Sequence, residues 1–193
     1  MSDLGKLKIE SENFNITKIE LKKVKLTGGI VGILSLFLLV FLFKFGSRFI
    51  SNFDKNFYLN IIFLFLAGII HVILHELIHA FTYILLCKGR FKDLKFGMIP
   101  SKFAAYCYMQ KDVPLKKYRL IALMPLFILL PVGALLYFWV LPGPAASIFF
   151  AISITGPIFD IIYTFKLRKY PGHYLVRETK EQDHLFVIKT DEK

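Results

Sequence analysis

Apolar and polar positions fall in long blocks along this chain, not in the short alternation of a half-buried sheet or the one-sided stripe of a surface helix. Gly29 to Phe45 reads GIVGILSLFLLVFLFKF, a run slightly short of the about 20 residues that a helix needs to cross hydrocarbon. Its Lys44 can reach the interface with its ammonium while the stem stays among apolar neighbours. After a polar link from Gly46 to Asn56, Phe57 to Cys87 predicts a second span, long enough to tilt or to extend beyond the lipid. Arg119 to Leu141 predicts a third, kinked at Pro125 and Pro131. Pro142-Gly143-Pro144 is a turn signal, and Ala145 to Leu167 predicts a fourth span interrupted at Thr155-Gly156-Pro157.

Between the second and third spans the pattern changes. Asp93 to Ile99 and Lys102 to Met109 are short aromatic, apolar runs separated by Pro100-Ser101, which predicts a small β-hairpin at the membrane surface. Residues 1–28 form a mixed-charge arm with a strand-like stretch from Ile16 to Leu26, and residues 168–193 a charged tail with a second such stretch from Leu185 to Ile188. The expected architecture is an all-α polytopic membrane protein of about four transmembrane helices, with a small cytoplasmic hairpin between the second and third. The chain is then one membrane-embedded domain over residues 1–193, its core at 29–167 and its hairpin segment at 88–118.

Composition supports this picture. A chain that is 55% hydrophobic and 16% aromatic is too apolar for an ordinary soluble domain. A net charge of +11 would suit nucleic acid, but the Lys and Arg gather between the apolar runs, so nucleic acid is excluded in favour of positive-inside loops. The arm carries six such residues, the first link two and the hairpin segment eight, against none in the Pro-Gly-Pro turn. With four spans this alternation predicts a multi-pass cell-membrane protein with both termini and the hairpin cytoplasmic. Cys87 and Cys107 match no disulfide or zinc framework and read as packing residues.

The chemistry concentrates at His75-Glu76-Leu77-Ile78-His79 in the second span. On a helix this spacing puts two imidazoles one turn apart on one face, where both can bind one zinc ion, and sets a carboxylate beside them as general base. A catalytic site needs a third protein ligand. Asp160 is the candidate, because apart from Glu76 it is the only acidic residue inside a span, and an unpaired carboxylate there costs roughly 2.5 to 3.5 kcal/mol. Counting about 1.5 Å per residue, His75, His79 and Asp160 reach the same depth to within about one turn. His71 continues the same face and is the alternative ligand, but a single straight helix does not easily bring three turns to one ion, so the expected role is a relay or a hydrogen-bonded core histidine. His173 and His184 read as surface residues.

The chain resembles the bacterial membrane zincin peptidases, a family related to the site-2 proteases. The resemblance lies in His75-Glu-Leu-Ile-His-Ala, in Ala104-Ala-Tyr-Cys-Tyr with Pro114-Leu-Lys-Lys-Tyr-Arg and Ala122-Leu-Met-Pro, and in the tail from Val176 to Ile188. Site-2 proteases place their third ligand in a Pro-x-x-Asp setting, which Pro157-Ile-Phe-Asp160 matches, although Phe159 and Ile161 stand where a Gly usually flanks that Asp. Ser153 or Thr155 stands where an Asn is expected upstream. The resemblance implies a zinc-dependent peptidase of membrane-anchored proteins, with Glu76 as base and His75, His79 and Asp160 as ligands. The competing expectation is a non-catalytic, metal-stabilised membrane scaffold that binds clients through the hairpin and tail.

Overall fold

The computed structural model describes residues 16–20, 33–34, 37–38, 40–41, 57–99, 104–140, 144–179 and 184–190. It is mostly helical, with two small antiparallel sheets. Helix α1 runs from Phe57 to Cys87, the extent that its unbroken apolar pattern predicts. α2 spans Leu115–Leu135 and continues through a wider, π-type turn over Leu136–Val140. α3 covers Pro144–Thr155 and α4 Ile158–Leu167. Among the described residues, three stretches, Ile61–Cys87, Leu115–Val140 and Ala145–Leu167, are long and apolar enough to cross a membrane. Most of the predicted first span lies outside the described residues; those described within it are helical, and Leu38 packs against Tyr137 and Ala151.

One expectation about the helices changes and another holds. The third begins four residues earlier than its apolar run, at Leu115, because its free N-terminal amides find acceptors elsewhere. Leu115 N–H donates to the Tyr174 carbonyl at 2.7 Å and Lys116 N–H to that of Gly172 at 2.9 Å. The predicted interruption of the last span divides it into two helices. Pro157 has no N–H to continue the ladder and suits the start of a new helix, so α4 sets off from it.

α1 packs on α2 and α3, and α2 on α3 and α4. α2 approaches α3 closely at Gly133, where a Cβ would come within 2.9 Å of Ser153 Oγ and 3.1 Å of Phe150 Cα. The outward face of α1 stays bare: Phe63 and Phe65 are 55% and 71% exposed, as a lipid-facing surface requires.

The sheets correct the all-α expectation. β2 (Leu94–Ile99) and β3 (Ala104–Met109) form the predicted hairpin, in register from Leu94 opposite Met109 to Ile99 opposite Ala104. Its Pro100-Ser101 turn lies outside the described residues. A second, four-stranded sheet was not expected. It orders β1 (Ile16–Glu20), β6 (His184–Ile188), β5 (Leu175–Glu178) and β4 (Val113–Pro114) as β1-β6-β5-β4, all antiparallel. Arm and tail are thus partners. A buried cluster that includes Tyr83, Leu94, Met109, Val113, Leu115, Tyr118, Val176 and Val187 joins the end of α1 and the start of α2 to both sheets.

Polar contacts fix the hairpin base. Asp93 accepts from Arg90 N–H and from Lys111 Nζ, each at 2.9 Å, and these donors hold its carboxyl below the usual carboxylate range. Arg177 of β5 grips Asp112 with two parallel bonds of 2.7 and 2.8 Å, tying the tail sheet to the hairpin exit.

Candidate metal centre

His75 and His79 sit one turn apart on α1, as their spacing dictates. Asp160 lies in the first turn of α4, where the positive end of the helix favours a carboxylate. The break at Gly156-Pro157 starts the helix that carries it. Asp160 Oδ2 is 3.2 Å from His75 Nε2 and 3.7 Å from His79 Nε2, and the two Nε2 atoms are 3.1 Å apart. Among the described residues these three form the one group able to hold a metal ion. The side chains are 13 to 18% exposed, sheltered without being sealed.

The tautomer of His79 follows from its surroundings. Its Nδ1 lies 2.9 Å from the carbonyl oxygen of Ile121 on α2. A carbonyl only accepts, so Nδ1 carries the proton and Nε2 presents a lone pair to the cluster. An N,N,O donor set is one that zinc takes. A tetrahedral ion with bonds of about 2.0 to 2.1 Å separates its ligand atoms by roughly 3.3 Å, and the separations of 3.1, 3.2 and 3.7 Å lie around that value. The residues fit the group.

His71 does not join them. It is 1% exposed, its Nε2 lies 3.0 Å from Ser153 Oγ, and its ring meets Phe149 edge-on at 4.8 Å. Ser153 donates its own proton to the Phe149 carbonyl at 2.8 Å, so His71 Nε2–H is the donor in that pair. Of the two roles expected, the structure gives it the hydrogen-bonded core histidine, tying α1 to α3.

Glu76 faces the hairpin and accepts a hydrogen bond from the backbone N–H of Cys107 in β3. Two residues on, the N–H of Met109 donates to Glu178 Oε2 at 2.8 Å, and Tyr118 O–H donates to Glu178 Oε1 at 3.0 Å. Alternate amides of β3 therefore point away from β2, toward carboxylates. Burial, with Glu76 and Asp160 nearby, pushes the Glu178 carboxyl up to about 7. The Cys107 thiol, buried beside Glu76 and Glu178, is pushed up to about 12 and stays a neutral packing group.

Sequence reasoning missed three contributors: the Ile121 carbonyl, the Cys107 amide and Glu178. The first two are backbone groups, which no residue type announces. Glu178 sits in a charged tail and gains its place only when β5 pairs with β4.

Membrane-length helices bring two histidines and a carboxylate to one point, an arrangement able to hold a metal ion. The chain belongs to the family described as "Putative zincin peptidase", which it matches over residues 68–175, more than half its length. Membership supports zinc metallopeptidase activity with zinc as cofactor. Comparison with curated proteins and with solved structures found no match.

Proposed function

We propose that the chain is a zinc-dependent endopeptidase, related to the site-2 proteases, that hydrolyses peptide bonds of membrane-anchored proteins within or beside the bilayer near its cytoplasmic face. The observation that carries this reading is the convergence of His75, His79 and Asp160 at membrane depth, with Glu76 alongside. Zinc bound by the three residues would supply a Lewis acid that polarises the scissile carbonyl and acidifies water. Glu76 is the general base: its carboxylate takes the proton of the attacking water and passes it to the leaving amine. The Cys107 N–H orients that carboxylate, and the Ile121 carbonyl holds the His79 ring. Water reaches this depth along the Gly156-Pro157 break, since irregular backbone is tolerated in a membrane where it lines a cavity. The hairpin ends beside the site, and a client unwound from its helix adds as a strand at the hairpin's edge.

The sheets also support four spans. β1 pairs with β6, so arm and tail lie on one side, and β4 leads directly into α2 on that side. With α1 beginning on the other side, this arrangement favours the Gly29 to Phe45 run as the remaining crossing. The positive charge of the hairpin segment favours the cytoplasm for the shared side.

The test compares the membrane proteomes of cells carrying the native chain and Glu76→Gln. At least one membrane-anchored protein accumulates uncut in the variant; identical proteomes under every growth condition would contradict the reading.

A further inference from the structure

Where α4 leaves its membrane-length stretch, a cleft of about 460 Å³ opens between the helix end and the edge strand β1, away from the metal centre. Ile19, Phe165, Lys166, Arg168 and Lys169 line it. Three of these five are cations and two are apolar. Phe165, in the last turn of the span, is 60% exposed, so the apolar wall faces the level of the bilayer surface. We infer that this cleft binds the headgroup of an anionic phospholipid, with Lys166, Arg168 and Lys169 around the phosphate and Ile19 and Phe165 against the glyceryl and upper acyl carbons.

The cations are held ready. The Arg168 guanidinium lies 4.9 Å from the centre of the Phe165 ring and the Lys169 ammonium 5.1 Å from that of Tyr170. Among the described residues, none of the three pairs with a carboxylate. A helix C-terminus would ordinarily repel an anion, because its last carbonyls carry partial negative charge. Here Arg119 of α2 covers them, donating from Nη2 to the carbonyls of Leu167 at 2.5 Å and Tyr170 at 2.8 Å. The negative end of the helix is thus neutralised from behind, and the three cations in front are left for a ligand.

A free inorganic or sugar phosphate would satisfy the cations but leave Ile19 and Phe165 against water. A phospholipid satisfies both walls, and this position at the end of a span is where its headgroup lies. A basic cluster next to a span attracts anionic lipid in general, and the bounded cleft converts that attraction into a site.

Native mass spectrometry of the full chain, released from neutral detergent supplemented with equal phosphatidylglycerol and phosphatidylcholine, tests this independently of any peptidase activity. The native chain retains phosphatidylglycerol in preference by roughly 100-fold, as expected for three clustered cations. Replacing Lys166, Arg168 and Lys169 together by Gln abolishes that preference. Replacing Lys88, Lys92 and Lys95 by Gln removes the same charge elsewhere and leaves it intact. If both triple variants lose it equally, the attraction is diffuse and the site is wrong. If glycerol phosphate at millimolar concentration displaces the lipid, the cleft takes free phosphates and the lipid assignment is wrong. Should the first triple variant fail to fold, Lys169→Gln alone lowers the preference a few-fold, and an unchanged preference overturns the proposal.

Discussion

His79 owes its readiness to bind a metal to a carbonyl on another helix, and Asp160 owes its position to a proline three residues before it. Both dependencies can be checked by substitution. Asp160→Ala should weaken zinc binding by on the order of 100-fold or more, beyond the 10- to 100-fold typical of outer partners, in a competition titration of purified protein. His71→Ala should leave zinc stoichiometry and affinity unchanged while lowering stability by about 1 to 3 kcal/mol, read as thermal unfolding in detergent, because it removes a buried donor to Ser153. Zinc loss in the second variant with retention in the first would exchange their roles. The pairing of His75 with His79 was legible from spacing alone, since four residues on a helix fix a shared face. Asp160 was legible from depth and cost. That His71 turns to Ser153 was not, because the same stripe of α1 meets two different helices and only their packing decides which side chain meets which.

At the scale of elements, the two sheets are the part that single-chain patterning conveyed least. The hairpin was readable from two adjacent apolar runs around Pro100-Ser101. The four-stranded sheet was not, because β1 and β6 are separated by nearly the whole chain and β4 is two residues long. Glu178, at the end of β5, is the consequence with a measurable signature. Its folded carboxyl titrates near 7, above an ordinary value of about 4.5, so the folded chain holds that proton more firmly than the unfolded chain. This contribution to stability is complete below about pH 4.5 and is lost as pH rises through about 7. The slope in between is at most about 1.4 kcal/mol per pH unit. Glu178→Gln should flatten that part of the thermal-midpoint profile and leave the remainder in place. An unaltered profile would mean that the carboxyl is solvated in the folded state.

For the whole molecule, orientation is the property that joins charge pattern to chemistry. If the hairpin side is cytoplasmic, Lys92→Cys, at an exposed position just before β2, should resist a membrane-impermeant thiol reagent in intact cells and react after permeabilisation. Labelling in intact cells would invert the topology. Cys107 cannot report on this, because its thiol is buried and neutral on either side. The second to fourth spans were legible because about 20 apolar residues have few other folded uses, and the break between α3 and α4 was legible from Thr155-Gly156-Pro157; the helix that starts there carries Asp160 to within 3.2 Å of His75. The central claim is that this arrangement hydrolyses, with Glu76 as base. It is tested most directly by purifying the native chain and Glu76→Gln with a client that accumulates uncut, and measuring zinc content and cleavage together. The account predicts one zinc per chain in both proteins and a loss of cleavage of at least about 100-fold in the variant. Cleavage at the native rate by zinc-loaded Glu76→Gln would contradict it.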